Sequence, residues 1–524
     1  MAATESLNHF QFLDYAVFSV YLLASVLIGV VFVKEQKDIK SYFLAGQSMG
    51  YMVVGISILA ALFSGISYLA APSEIYTHGI AFFFVTLSFF IATPIVSVIF
   101  LPFFYRSRFF TAYQYLEERF SVQVRLLGSS LFIARVVVWL ALATYAPALA
   151  LEQVTGLPLW FSILCTGVLS TAYTTLGGMK AVIWTDVLQF FVLIGGQIVI
   201  LIIAIPKIPG GLGGIYDIGL AAGKFDIDFS LSLTTRVTFW GVLIGGTFLN
   251  LVQMATDQVS VQRYLTASSL KEARRSLWLK LVFLFPTLLV FYGTGLVLFA
   301  FYQTHGDPLA AGKISSGDQI LPHFVINELP VGLPGLLVAA IFAASMSTIS
   351  AGINSLTSAT IVDFYQRLWK GAKNASADRQ LKLARMLTVF YGIVVVALAF
   401  EVRKLGTLIE ASNRIVGLVG GPLLGLFVLG MLVKRANASG AVAGWIAGVA
   451  TLIVVAFDSR ISFLWYALIG FLVTVGVGWA VSFFFQKPSQ EKLKGLTWVD
   501  RYCESEGPPE ARNDPAQNAG AREN

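Results

Sequence analysis

The sequence predicts an all-α, polytopic membrane protein of about 13 transmembrane helices, and three observations lead there. Of its 524 residues 56% are apolar and only 12% charged, with a mean hydropathy of +0.76. A soluble chain of this size covers its surface with roughly one-quarter charged residues. The apolar residues fall in runs long enough to cross a hydrocarbon core of roughly 30 Å. Two of these runs are interrupted by small and polar residues and stand five runs apart. That is the pattern of an inverted-repeat (5+5) core with its binding site near the midplane.

In chain order the runs cover 13–34, 51–77, 79–104, 128–150, 157–176, 181–205, 236–262, 276–302, 332–362, 384–402, 408–433, 438–457 and 462–485. The first lacks a basic leader and a small-residue cleavage site, so it reads as a retained span. The second carries Ser64-Gly65 near its middle and Pro72 beyond; the seventh carries Gly245-Gly246 and then Asn250, Gln253, Thr256 and Asp257. These are the two interrupted runs. They divide the chain into an extra helix and cytoplasmic loop (1–50), a first repeat (51–205), an extracellular loop (206–235), a second repeat (236–435), two further helices (436–486) and a polar cytoplasmic tail (487–524). The loops near 206–235 and 303–331 are rich in Gly, Pro and Asp and read as short lids.

The formal charge of +7 would suit a nucleic-acid partner if it were clustered. It is instead sorted by loop. Lys34, Lys37, Lys40, Arg106, Arg108, Arg119, Arg125, Lys180, Arg263, Lys271, Arg274, Arg275, Lys280, Arg367, Lys370, Lys373, Arg379, Lys382, Arg385, Lys434 and Arg435 fall on one set of alternate loops. The other set has Lys207, Lys224, Arg236, Lys313, Arg403, Lys404 and Arg460. An excess of about three to one places the richer side in the cytoplasm, with the N-terminus outside and the C-terminus inside a cell membrane. Cys165 and Cys503 cannot build a disulfide framework or a metal site. No phosphate-cradling glycine loop, no H-E-x-x-H pair and no nucleophile–base set occurs, so ATP-driven pumping and enzymatic chemistry lack support. An ion gradient is the remaining energy source.

Few residues can carry chemistry. Hydroxyls at Ser347, Thr348 and Ser350 in the ninth span either coordinate a hard cation through oxygen or let helices pack closely. Asp186, near the start of the sixth span, is either a cation ligand or a helix cap. Arg135 and Arg414 sit inside or at the edge of spans and must face a cavity, a carboxylate or the interface; Glu410, one turn before Arg414, could neutralise it. Asp257, Gln258, Gln262 and Arg263 gather at the end of the seventh span, as a gate or as a helix-end cluster of salt bridges.

At these same residues the sequence resembles the sodium:solute symporter family over nearly the whole of 13–485. The resemblance is carried by Asp14-Tyr15, Tyr42-Phe43-Leu44-Ala45-Gly46, Pro72-x-Glu74-x-Tyr76-x-x-Gly79, Tyr145-Ala146-Pro147-Ala148-Leu149, Tyr173-Thr174-Thr175-Leu176-Gly177-Gly178 leading to Trp184-Thr185-Asp186, Gln258-x-x-x-Gln262-Arg263-Tyr264, and the serine-rich ninth span. It implies a leucine-transporter-like core and a sodium ion held by the carbonyls of Ala60, Phe63 and Ala344 and the hydroxyls of Ser347 and Thr348. A second sodium, present in some relatives, would use Asp186, Ser347 and Ser350; its last ligand falls on Ala351, which leaves that set one oxygen short. The resemblance implies a substrate pocket at Ser64, Ser67, Thr86, Arg135, Gln253 and Arg414. Arg135 matches an arginine of the sialic-acid relative, and the Pro72-to-Gly79 pattern resembles the monocarboxylate, vitamin and iodide branch. Together they imply import of a small organic anion, with a neutral sugar, polyol or amino acid as the alternative. A membrane sensor built on such a core would need a signalling domain, for which the tail is too short.

Overall fold

The structure is a computed structural model that describes residues 10–498 except 108, 157, 370, 373–374, 402–407 and 459; the side chains of 106, 146–147, 150–151, 153–155, 408–416 and 458 also lie outside the described residues. Within this range the chain is helical, and its one β contact is an isolated bridge between Met49 and Ala267. The helices are α1 (Phe12–Val31), α2 (Ile39–Leu44), α3 (Tyr51–Leu62), α4 (Gly65–His78), α5 (Ile80–Tyr105), α6 (Gln114–Arg119), α7 (Val122–Thr155), α8 (Leu159–Ala204), α9 (Gly211–Ala221), α10 (Gly241–Thr256), α11 (Gln258–Thr266), α12 (Leu270–His305), α13 (Ile320–Glu328), α14 (Leu333–Leu368), α15 (Ala377–Ala399), α16 (Leu408–Leu432), α17 (Ala438–Asp458) and α18 (Phe463–Ser482). Helix occupies every expected run. Among the described residues nine helices are long and apolar enough to cross a membrane, ten if α3 and α4 are one bent span.

The position of α14 organises the rest. Its most apolar stretch is 94% buried, against 17% for α1 at the periphery. Small residues explain this, because the Ala, Ser, Gly and Thr side chains of 343–359 let α1, α7, α8 and α15 approach closely. Asp14 fixes the start of α14: its Oδ1 accepts hydrogen bonds from the amides of Gly332 and Gly335, each at 2.9 Å. The Asp14-Tyr15 motif thus serves as a helix cap supplied by a different helix.

Two departures from helical geometry matter. α8 has 46 residues, about 69 Å at 1.5 Å each and too long for one crossing. It breaks at Gly178 (φ 55°, ψ −156°), close to a region that essentially only glycine occupies. A Cβ there would lie 2.8 Å from the Tyr42 carbonyl oxygen, so this turn is also where α2 packs.

The other departure is the second interruption, which the sequence pattern puts at Gly245-Gly246. These glycines are helical, and a Cβ on Gly245 would meet the Leu464 carbonyl at 2.3 Å, so they are packing positions. The chain leaves the helix at Asp257 (φ −81°, ψ 121°), whose side chain accepts from the Val259 amide and begins α11. Both expected lids contain helix, α9 in one and α13 in the other.

Candidate functional site

The first interruption is a 62° bend between α3 and α4. Phe63 (φ −89°, ψ 92°) and Ser64 (φ −81°, ψ 168°) leave the helix, so carbonyls in the last turn of α3 lose their regular donors. Against that turn lies α14. The Ser347 hydroxyl is 3.2 Å from the Ala60 carbonyl oxygen and 2.9 Å from that of Ala344, and the Thr348 hydroxyl is 3.2 Å from Ala344. Four of the five oxygens implied for one sodium therefore converge. Phe63 stands at the bend itself and on the wall of the adjoining cavity. The cluster contains only carbonyls and hydroxyls, a donor set suited to a hard monovalent ion.

The cavity, about 180 Å³, lies between the two interruptions. Ser64, Ser67, Arg135 and Gln253 are on its wall, together with Asn250, Asp257, Arg263 and Lys280 and with apolar groups such as Phe82, Phe89 and Trp139. Thr86 is not on that wall; its hydroxyl donates to the Phe83 carbonyl at 2.7 Å. The Arg414 and Glu410 side chains lie outside the described residues.

The structure pairs most of the buried charges. Arg135 neither snorkels nor stands alone, for its Nη2 is 2.5 Å from Asp257 Oδ2. Arg263, fully buried, donates to Asp186 Oδ2 at 2.9 Å and to the Ser57 hydroxyl at 2.9 Å, and Ser57 donates to the same Asp186 oxygen. Asp186 is thus neither a helix cap nor an unpaired carboxylate, although its Oδ1 is buried without a partner. Ser350 donates to the Ser347 carbonyl at 3.1 Å. The group at the end of the seventh span is more than a local salt-bridge cluster. Gln262 reaches the Phe43 carbonyl and Asn354, Gln258 reaches the Phe110 carbonyl, and the arginine and aspartate reach α8 and α7. The α10–α11 break is thereby tied to α2, α3, α7, α8 and α14.

Several polar residues were not recognisable as site or structural elements in the sequence. Glu74 forms a two-armed pair with Arg236 at 2.7 and 2.8 Å, Tyr76 donates to Asp307 at 2.7 Å, and the Lys224 ammonium donates to the Tyr76 carbonyl at 2.7 Å. The Pro72-to-Gly79 pattern accordingly fastens the end of α4 to the loops before α10 and after α12. Arg125 meets Asp363 and Glu117, and Arg119 donates to the Gly430 and Val433 carbonyls, so these two arginines are interior ties rather than loop charges. Lys280 is likewise interior, at 1% exposure. Its position four residues into the expected eighth run, 276–302, was the available signal.

Comparison with known proteins agrees with this architecture. The family model described as the sodium:solute symporter family matches residues 42–448. The chain is 36% identical to the human (Homo sapiens) sodium-coupled monocarboxylate transporter 1, over 88% of this chain and 76% of that one. It is 35% identical to the sodium/sialic acid symporter SiaT of Proteus mirabilis, over 93% and 98%. A solved substrate-bound, outward-open sodium-coupled sialic acid symporter superposes with a TM-score of 0.86 at 34% identity, covering 92% of this chain and all of that one. Matched along most of its length by the family model and by full-length relatives, and carrying two interrupted helices around one cavity, the chain belongs to the sodium:solute symporter family.

Proposed function

We propose that this membrane protein is a sodium-coupled symporter that imports a small organic anion. The observation that carries the coupling is the shared bend: the oxygens of Ala60, Ala344, Ser347 and Thr348 gather at it, and Phe63, Ser64 and Ser67, at the bend and the start of α4, line the cavity. Sodium there would hold α3 against α14 and so shape the cavity wall; its release would loosen both. Each sodium entering along the potential supplies about 2.3 kcal/mol per 100 mV. An anionic solute is supported by relatives whose names specify monocarboxylate and sialic acid. A neutral solute is the second reading, favoured by the Arg135–Asp257 pair, which already balances the arginine. The basic loops would face the cytoplasm, with the N-terminus outside.

The test is sodium-dependent uptake by the protein in proteoliposomes, competed by carboxylates and, separately, by sugars and polyols. Competition by carboxylates is the expected result. Competition confined to neutral solutes would replace the anion reading, and sodium-independent uptake would remove the coupling.

A further inference from the structure

Among the described residues, Lys280 is the basic side chain of the cavity for which neither the oxygen cluster nor the ion pairs account. It lies ten residues into α12, is 1% exposed and forms part of the cavity wall. Its ammonium is 3.2 Å from the Met254 sulfur and 4.9 Å from the centre of the Phe89 ring. A thioether is a weak acceptor and an aromatic face a modest one. Neither matches the hydration a buried ammonium gives up, and neither carries a charge to balance it.

The other charges on the wall are balanced. Arg135 has Asp257, and Arg263 has Asp186 behind it. Among the described residues, then, Lys280 is the basic side chain on the cavity wall that has no carboxylate partner. The ammonium is also placed for contact with a solute. Met254 belongs to the last turn of α10 before the Asp257 break, and Phe89 comes from α5, so both neighbours are wall residues of the same cavity.

We propose that the Lys280 ammonium is the receptor for the carboxylate of the transported solute. This rests on the anion reading above and moves the charge-reading role from Arg135 to α12. Met254 and Phe89 hold the lysine in place without neutralising it, leaving its charge for the ligand. Arg135 keeps a buried Nε without a partner, which supplies a directional hydrogen bond rather than net charge. An amide analogue of the same shape would leave the ammonium buried and unbalanced, so the site would discriminate by charge.

The test compares the full-length protein with Lys280→Met, which preserves length and volume while removing the charge, and with Lys280→Arg. The probes are L-lactate, N-acetylneuraminate and pantothenate, with lactamide as the neutral counterpart, measured by ligand-induced thermal stabilisation in sodium. Lys280→Met is expected to weaken carboxylate binding at least about tenfold, to leave lactamide unaffected and to retain the stabilisation by sodium alone; Lys280→Arg should keep the carboxylate preference. A Lys280→Met protein that binds the carboxylates as tightly as the parent overturns the proposal and leaves the anion reading standing. A parent protein that binds none of the carboxylates overturns both. Lys280→Gln gives the same readout if the methionine variant loses its stabilisation by sodium.

Discussion

Opposite charges placed far apart in the chain meet inside the protein, and that changes what a substitution at Arg135 would do. Removing its guanidinium leaves Asp257 buried without its partner, and breaking a buried pair costs about 3–5 kcal/mol. Arg135→Gln should therefore lower the thermal unfolding temperature as well as uptake. The double variant Arg135→Gln/Asp257→Asn should recover most of that stability, which thermal unfolding in detergent would measure. Ser347→Ala and Thr348→Ala delete oxygens from the cluster at the bend and should raise the sodium concentration for half-maximal uptake several-fold; unchanged sodium dependence in both would remove the assignment. The hydroxyls could be read in advance because three occur within four residues of an apolar helix. Lys280 was harder to read, since Arg274 and Arg275 make the first turns of α12 look like loop. The helix in fact begins at Leu270, which carries Lys280 past them into the interior.

Helix breaks were legible only where backbone chemistry forces them. Ser64-Gly65 follows the bend because Ser64 caps α4, its hydroxyl accepting from the Ser67 amide at 3.3 Å. Gly245-Gly246 misleads because a glycine that lets neighbours approach looks the same in sequence as one that ends a helix. Gly178 is of the second kind, and Gly178→Ala should destabilise by about 1–3 kcal/mol, seen as lower expression and a lower melting temperature. Outside the membrane, His323 on α13 bonds the Tyr302 hydroxyl at 2.9 Å. Burial, reinforced by Lys313, lowers its pKa below the usual 6.5, while Glu328 acts in the opposite sense. The folded protein thus binds this proton less readily than the unfolded chain, so the stabilising effect of the neutral ring is complete above pH 6.5 and is lost as pH falls below it. His323→Gln should flatten thermal stability between about pH 7 and pH 5.

Transport by the assembled protein depends on how many sodium ions accompany each solute. Asp186 is engaged by Arg263 and Ser57, and Ala351 presents a methyl group where the second ion set calls for an oxygen. One sodium per cycle is the expected stoichiometry, and carriage of a monovalent anion should then be electroneutral. Uptake into proteoliposomes should stay constant when a potassium diffusion potential is imposed; acceleration by an inside-negative potential would indicate a second sodium. The same pairing shows why counting charges by loop misplaces single residues, Arg125, Arg263 and Lys280 being interior rather than in loops. The count needs only the balance between sides, and a few interior residues such as Arg125, Arg263 and Lys280 do not reverse a threefold excess.

Membrane fold class, the helical runs, the first interruption and the oxygen-rich ninth span all follow from local pattern: a hydrocarbon core demands long apolar helices, and short polar side chains within them are conspicuous. The charge state of the cavity does not follow from local pattern. It depends on which carboxylate each buried cation reaches: Asp257 for Arg135 across 122 residues, Asp186 for Arg263 across 77, and for Lys280 none among the described residues. Such pairings are set by how α7, α8, α10, α11 and α12 pack around one cavity, because ion pairing inside a membrane protein depends on distance in space and not on separation along the chain.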